Sequence, residues 1–135
     1  MAGKRILHVE DNPSNRKAVR HILRQTDFEL TEAFDGEEGV RAALESPPDL
    51  ILLDIQLPKL SGYDVAQRLR ADERTRHVPI IAITSYALSG DEQRTQEAGC
   101  DDYIAKPYRP KVLLEHIKRF LNQEDDDGQR EDPGR

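Results

Sequence analysis

A doubly wound α/β fold, with five strands alternating with five helices, is the architecture this 135-residue sequence predicts. Two observations carry it. Short apolar runs alternate five times with amphipathic stretches of helical period. Two of those runs, residues 50–53 and 80–83, are apolar at every position, as expected of strands buried on both faces. Crossover helices between buried strands imply a parallel sheet covered on both sides.

Each element has a local reason. Residues 6–9 (Ile-Leu-His-Val) make the first strand, which ends in Glu10 and Asp11. Asn12 can cap a helix whose first position is Pro13, where no N–H is needed. Ala18, Val19, Ile22 and Leu23 give that helix an apolar stripe. The second strand fits residues 28–33. Asp35 and Glu38 have capping-box spacing for the next helix, whose face is Val40, Ala43 and Leu44. Pro47 and Pro48 end it, and the third strand follows at once. Ser61 and Asp64 open a third helix with Val65, Ala66 and Leu69 inward. Pro79 leads into the fourth strand, which runs to Ile83.

Ser89 and Glu92 have capping-box spacing for a fourth helix, but its body, residues 91–97, is almost wholly polar. So thin an apolar stripe predicts weak packing and easy displacement. Residues 102–105 form a short last strand. Pro110 then starts a helix with Leu113, Ile117, Phe120 and Leu121 on its apolar face.

Composition narrows the function. Apolar residues are 36% of the chain and charged residues 34%, which fits a globular domain. No apolar run is long enough to span a bilayer, and no signal peptide is expected at its start. A single cysteine, Cys100, excludes an internal disulfide framework and a multi-cysteine metal site, and is compatible with the cytoplasm. It reads as a small packing residue. A net charge of −6 lacks the basic footprint of a nucleic-acid binder. Residues 122–135 carry −4 of that charge and no apolar side chain. They are expected to form a disordered acidic tail after a domain spanning 4–121.

In a parallel sheet, ligands bind at the carboxyl ends of the strands. There the sequence places Glu10 and Asp11 after the first strand, Asp54 after the third, Thr84 after the fourth and Lys106 after the fifth. Three carboxylates together repel unless a cation sits among them. Oxygen ligands of this kind suit Mg²⁺. Lys106 and Thr84 suit phosphate oxygens, and Asp54 is the candidate nucleophile for forming an acyl phosphate. Any one strand-end acid is better read as a helix cap or a water ligand; five such groups at matching ends are not.

These residues lie in the segments ILHVEDN (6–12), PDLILLDIQLPKLSG (48–62), IIAITS (80–85) and GCDDYIAKP (99–107). In that order and spacing they resemble the receiver domain of two-component response regulators. The resemblance implies a flavodoxin-like sheet of order 2-1-3-4-5. It implies Asp54 as phosphoacceptor and Glu10, Asp11 and Asp54 around Mg²⁺, with a backbone carbonyl from Gln56. It makes Thr84 and Tyr103 the switch pair and Lys106 the phosphate partner, with a cis bond before Pro107. Gln56 and Tyr86 would flank the phosphate entrance and set the phosphoryl lifetime; the alternative is that they are simple exposed loop residues.

The implied partners are a sensor histidine kinase or histidine phosphotransfer protein, and a downstream protein. Neither nucleic acid nor membrane is expected. The state is expected to be a monomer, or a homodimer through the face from the fourth to the fifth helix. With about 14 residues after the last helix, no output domain is expected. The stretches IQLPKLSG and SYALSGDE look most like stand-alone receivers of the cell-fate or phytochrome-partner kind, and like receivers of hybrid kinases.

Three rival readings are weaker. A flavin carrier on the same fold wants a phosphate loop after the first strand, where Glu10 and Asp11 would repel the flavin phosphate. A dehalogenase-type hydrolase wants a second acid two residues after its nucleophile, where this chain has Gln56. A pure docking adaptor would not need the intact acidic set. The receiver itself is a signalling switch that catalyses only its own phosphorylation and dephosphorylation. Among the histidines, His8 reads as a packed core residue, and His21, His77 and His116 as surface or helix-face residues without a ligand cluster.

Overall fold

A computed structural model describes residues 3–85 and 91–121. The elements run β1 (Arg5–Val9), α1 (Pro13–Leu23), β2 (Glu29–Ala33), α2 (Gly36–Glu45), β3 (Leu50–Asp54), α3 (Gly62–Ala71), β4 (Ile80–Thr84), α4 (Asp91–Ala98), β5 (Asp102–Ala105) and α5 (Pro110–Leu121). All pairings are parallel, in the order β2-β1-β3-β4-β5. The predicted (βα)5 architecture and the strand order are therefore both present. The acidic tail expected at 122–135, Tyr86 and the cap expected at Ser89 lie outside the described residues.

Alternation along the strands builds two cores. Leu7, Val9, Ile51, Leu53 and Ile80 face α2, α3 and α4. Ile6, Leu50, Leu52, Ile81, Ile83 and Ile104 face α1 and α5. On α5, Leu113, Ile117 and Leu121 are buried against that second face. Each such Leu or Ile contributes about 1.5–3 kcal/mol by leaving water. On α4, by contrast, Thr95 and Ala98 are the buried positions among the described side chains. The thin stripe read from the sequence is what the structure contains.

Several boundaries shift for local reasons. The second strand begins at Glu29, not Phe28, because the Phe28 amide is taken by the Thr26 hydroxyl, which itself donates to Leu23 O. The fourth begins at Ile80, since Pro79 has no N–H for the ladder. Ala18 of the predicted α1 stripe is exposed; Val19, Ile22 and Leu23 are buried. The Asp35 side chain accepts from Glu38 N as predicted, but Glu38 Oε1 accepts from Phe34 N, one residue before the cap. No helix among the described residues is long and apolar enough to cross a membrane.

Candidate functional site

β1 and β3 are neighbours, although α1, β2 and α2 lie between them in sequence. Their registered ends, Val9 opposite Leu53, bring Glu10 beside Asp54. One carboxylate oxygen each from Glu10, Asp11 and Asp54 lies within 4.8 Å of the others. Glu10 and Asp54 are buried, at 2% and 3% exposure, whereas Asp11 faces solvent. Lys106, at the end of β5, reaches in from the other side. Its Nζ is 3.7 Å from Glu10 Oε1 and 3.9 Å from Asp54 Oδ1. The bond from Lys106 to Pro107 is cis, as the resemblance implied.

Two buried carboxyls cannot both be charged cheaply. Burial, the hydrogen bond with Asp54 and the Asp54 charge push the Glu10 carboxyl up to about 7. The Asn12 amide, which donates to Glu10 Oε2 at 3.1 Å, and the Lys106 charge oppose that rise without cancelling it. A proton shared in such a pair can be replaced by a divalent cation. The oxygen-only donor set, small and strongly acidic, fits Mg²⁺.

Gln56 ties this acidic edge to β4. Its backbone N–H donates to Asp54 Oδ1 at 3.0 Å. Its side-chain Nε2 donates to Thr84 Oγ1 at 2.6 Å, and its Oε1 accepts more weakly from Ser85 N at 3.4 Å. Thr84 is fully buried. The expected roles of Gln56 do not include a side-chain link to the Thr84 hydroxyl; spacing along one loop gives no sign of a contact across 28 residues. Tyr103 pairs in register with Ala82 and lies on the opposite sheet face from Ile104, on the side of α4. It is half-buried, with its hydroxyl shielded from solvent.

The backbone beneath the site is shaped by glycine. A Cβ on Gly62 would lie 2.5 Å from Asp54 O and 2.6 Å from Ile55 Cα, so only glycine lets α3 start this close to the acidic strand. The Gly62 amide uses that approach to donate to Ile55 O.

Next to the site, a groove of about 670 Å³ opens between α1 and the start of α5, with His8, Ile83, Lys106 and Tyr108 among its walls. Burial, then the charges of Lys106 and Arg16, hold His8 down to about 3. It is a neutral, packed histidine, as read from the sequence. Cys100 also keeps its predicted role: it packs against the core, and burial pushes its thiol up to about 12. His116 is more engaged than a plain helix-face residue, since its Nδ1 meets Asp102 Oδ2, which also accepts from Arg119.

Comparison with known proteins agrees with this geometry. The family model "Response regulator receiver domain" matches residues 6–118. The polar-differentiation response regulator DivK of Brucella ovis is 42% identical over 118 residues, covering 87% of this chain and 96% of that protein. Among solved structures, the receiver domain of the Pseudomonas aeruginosa sensor histidine kinase PA1611 is 41% identical with a TM-score of 0.84. The match covers 90% of this chain and 99% of that one, which was crystallised with a magnesium ion in its active site cleft. The Vibrio cholerae chemotaxis protein CheY4 is 28% identical with a TM-score of 0.83, over 89% of this chain and 100% of that one.

Proposed function

The chain belongs to the response regulator receiver domains, and on that premise we propose that it is a phosphorylation switch whose phosphoacceptor is Asp54. The observation that carries the reading is the convergence of Glu10, Asp11, Asp54 and Lys106 on one sheet edge, with two of the three carboxylates buried.

In this reading an Asp54 carboxylate oxygen attacks the phosphorus of a phosphohistidine. The new O–P bond forms as the P–N bond breaks, and the histidine nitrogen leaves with the electron pair and takes up a proton. Lys106, whose Nζ faces both Glu10 and Asp54, would pair with the transferred group. Glu10, Asp11, Asp54 and the Gln56 carbonyl would hold Mg²⁺, which supplies charge neutralisation for the phosphoryl oxygens when bound. Hydrolysis of the acyl phosphate resets the switch.

The output follows from charge. A phosphoryl group adds acceptor oxygens where none existed. The Thr84 hydroxyl turns toward them and gives up its hydrogen bond from Gln56. Tyr103 repacks on the α4 side, and α4 and its neighbours change the surface they present. A protein target, or a second copy through the α4–β5–α5 face, reads that surface. Upstream stands a sensor histidine kinase or histidine phosphotransfer protein. Gln56, with Tyr86, sets how long the phosphoryl group lasts.

Intact mass after incubation with Mg²⁺ and a small acyl-phosphate donor tests the reading. Gain of one phosphate by the wild type, and none by Asp54→Asn, is the expected result. Equal gain by both proteins would move the phosphoacceptor elsewhere.

A further inference from the structure

Glu10 and Asp11 sit in the three-residue turn between β1 and α1, and a carboxylate pair in a turn is only as precise as the backbone that carries it. That backbone is held from both sides. The Glu10 amide donates to Ala33 O at 3.0 Å, at the end of β2. The Glu10 carbonyl accepts from Arg16 Nη1 at 3.0 Å, from near the start of α1. The same guanidinium lies 4.1 Å above the ring of Phe34, the residue after Ala33. The loop thus closes on itself: Glu10 to Ala33, Phe34 to Arg16, and Arg16 back to Glu10.

Three features distinguish this from a stray surface arginine. Its hydrogen bond goes to a carbonyl and not to a carboxylate, so it holds geometry and does not neutralise an acid. Its Nε is buried without a hydrogen-bond partner among the described residues, an arrangement that costs free energy. Phe34, the exposed large apolar side chain among the described residues at 51%, is accounted for as the platform on which the guanidinium lies. A lysine could supply the charge but neither the planar stack nor the fork.

We infer that Arg16 is a positioning residue, which with Phe34 fixes the Glu10–Asp11 turn in the geometry that binds Mg²⁺. The inference rests on the metal-site reading proposed above. Its sign separates it from a charge effect. A cation near the acidic cluster repels Mg²⁺, so removing charge alone would tighten binding. Removing a support of the turn would loosen it.

Calorimetric Mg²⁺ titration of the wild type, Arg16→Lys, Arg16→Ala and Phe34→Leu decides between them, with melting in EDTA as the control for folding. Positioning predicts that both Arg16 variants bind Mg²⁺ about tenfold more weakly or worse, as loss of a ligand's support does elsewhere. Phe34→Leu, which keeps the hydrogen bond but loses the ring, should weaken binding by a smaller factor. Tighter binding by Arg16→Ala with Arg16→Lys unchanged would overturn the inference in favour of simple charge. Lowered melting with unchanged Mg²⁺ affinity would overturn it in favour of a purely structural role. A wild type that binds no Mg²⁺ would instead sink the metal-site reading itself, and the inference with it.

Discussion

The two edges of the sheet handle charge in opposite ways. At the carboxyl edge, Glu10, Asp11 and Asp54 crowd within 4.8 Å, faced by the Lys106 ammonium at 3.7–3.9 Å from two of them. At the amino edge, Arg70 at the end of α3 is engaged at every guanidinium nitrogen. Its Nε donates to Gly99 O at 2.7 Å, and Nη1 donates to Arg76 O and Val78 O at 2.8 and 2.7 Å. Its Nη2 pairs with Asp101 Oδ2, which also accepts from Ile80 N. One edge stores electrostatic repulsion, and the other removes it bond by bond. Function needs the first, because only an unfavourable site gains by taking up a cation or changing its charge. Stability is drawn from the second. The fourth helix runs between them: its last turn is tied through Gly99 to the saturated edge, while the residues that precede it follow Thr84 and Ser85 at the reactive one.

The largest test of that contrast is at the saturated edge. Arg70→Ala leaves the Gly99, Arg76 and Val78 carbonyls and the Asp101 carboxylate without this donor. Those groups are only partly buried, so water recovers some of the loss. A destabilisation of about 2–3 kcal/mol is expected in urea unfolding. Mg²⁺ affinity should stay within about twofold of the wild type, because distant and unconnected sites add. A large loss of Mg²⁺ binding would mean that the two edges are not separable.

At the reactive edge the sign reverses. The Glu10 carboxyl is raised from its ordinary 4.5 to about 7 in the metal-free protein. A raised carboxyl makes the folded state hold its proton longer than the unfolded state does. Its contribution is fully present below about pH 4.5 and is lost as pH rises through 7. In EDTA, the wild type should therefore lose stability between pH 5 and 8 relative to Glu10→Gln, and the variant should be the more stable protein at pH 8. The wild type should regain stability on adding Mg²⁺, by about 1.4 kcal/mol at ten times its Kd. Glu10→Gln should regain less at the same concentration. A variant less stable than the wild type at pH 8 would remove the claim that this edge is held at a cost.

The same contrast explains what the sequence made legible. The reactive edge could be read because topology does the gathering. Once 6–9, 50–53 and 80–83 are recognised as parallel strands, the residue after each run must fall on one edge, so Glu10, Asp54 and Thr84 needed no contact information. Nothing comparable announces the saturated edge. Arg70 bonds mainly to backbone carbonyls, 6, 8 and 29 residues away, and a carbonyl has no signature in a sequence. Arg16 carries no signature for the same reason, since its acceptor is the Glu10 carbonyl. The sequence points the Gln56 side chain toward the phosphate entrance, while its bond to Thr84, 28 residues away, is set by the fold alone.

Cys100 offers the finest probe, because it lies where the saturated edge meets the end of α4. Its amide accepts no freedom there: it donates to Thr95 O at 2.9 Å, and the side chain packs against the core. Burial, the main cause, and the nearby Asp101 charge push the thiol up to about 12, while Arg70 pulls the other way. At pH 8 the thiolate is therefore scarce, and labelling by a thiol reagent should be slower than for a small model thiol. Arg70→Ala removes the cation that favours the thiolate, which alone would slow labelling further. It also releases the Gly99 carbonyl, which would speed labelling by opening the helix end. Faster labelling in Arg70→Ala would therefore mean that the clamp acts by restraining the end of α4, since its electrostatic effect has the opposite sign. Slower labelling would mean that packing around Ala98 and Cys100 holds that end without it. Phosphorylation at Asp54 should then leave the Cys100 rate of the wild type nearly unchanged, as expected of a helix whose far end is fixed while its near end answers the site.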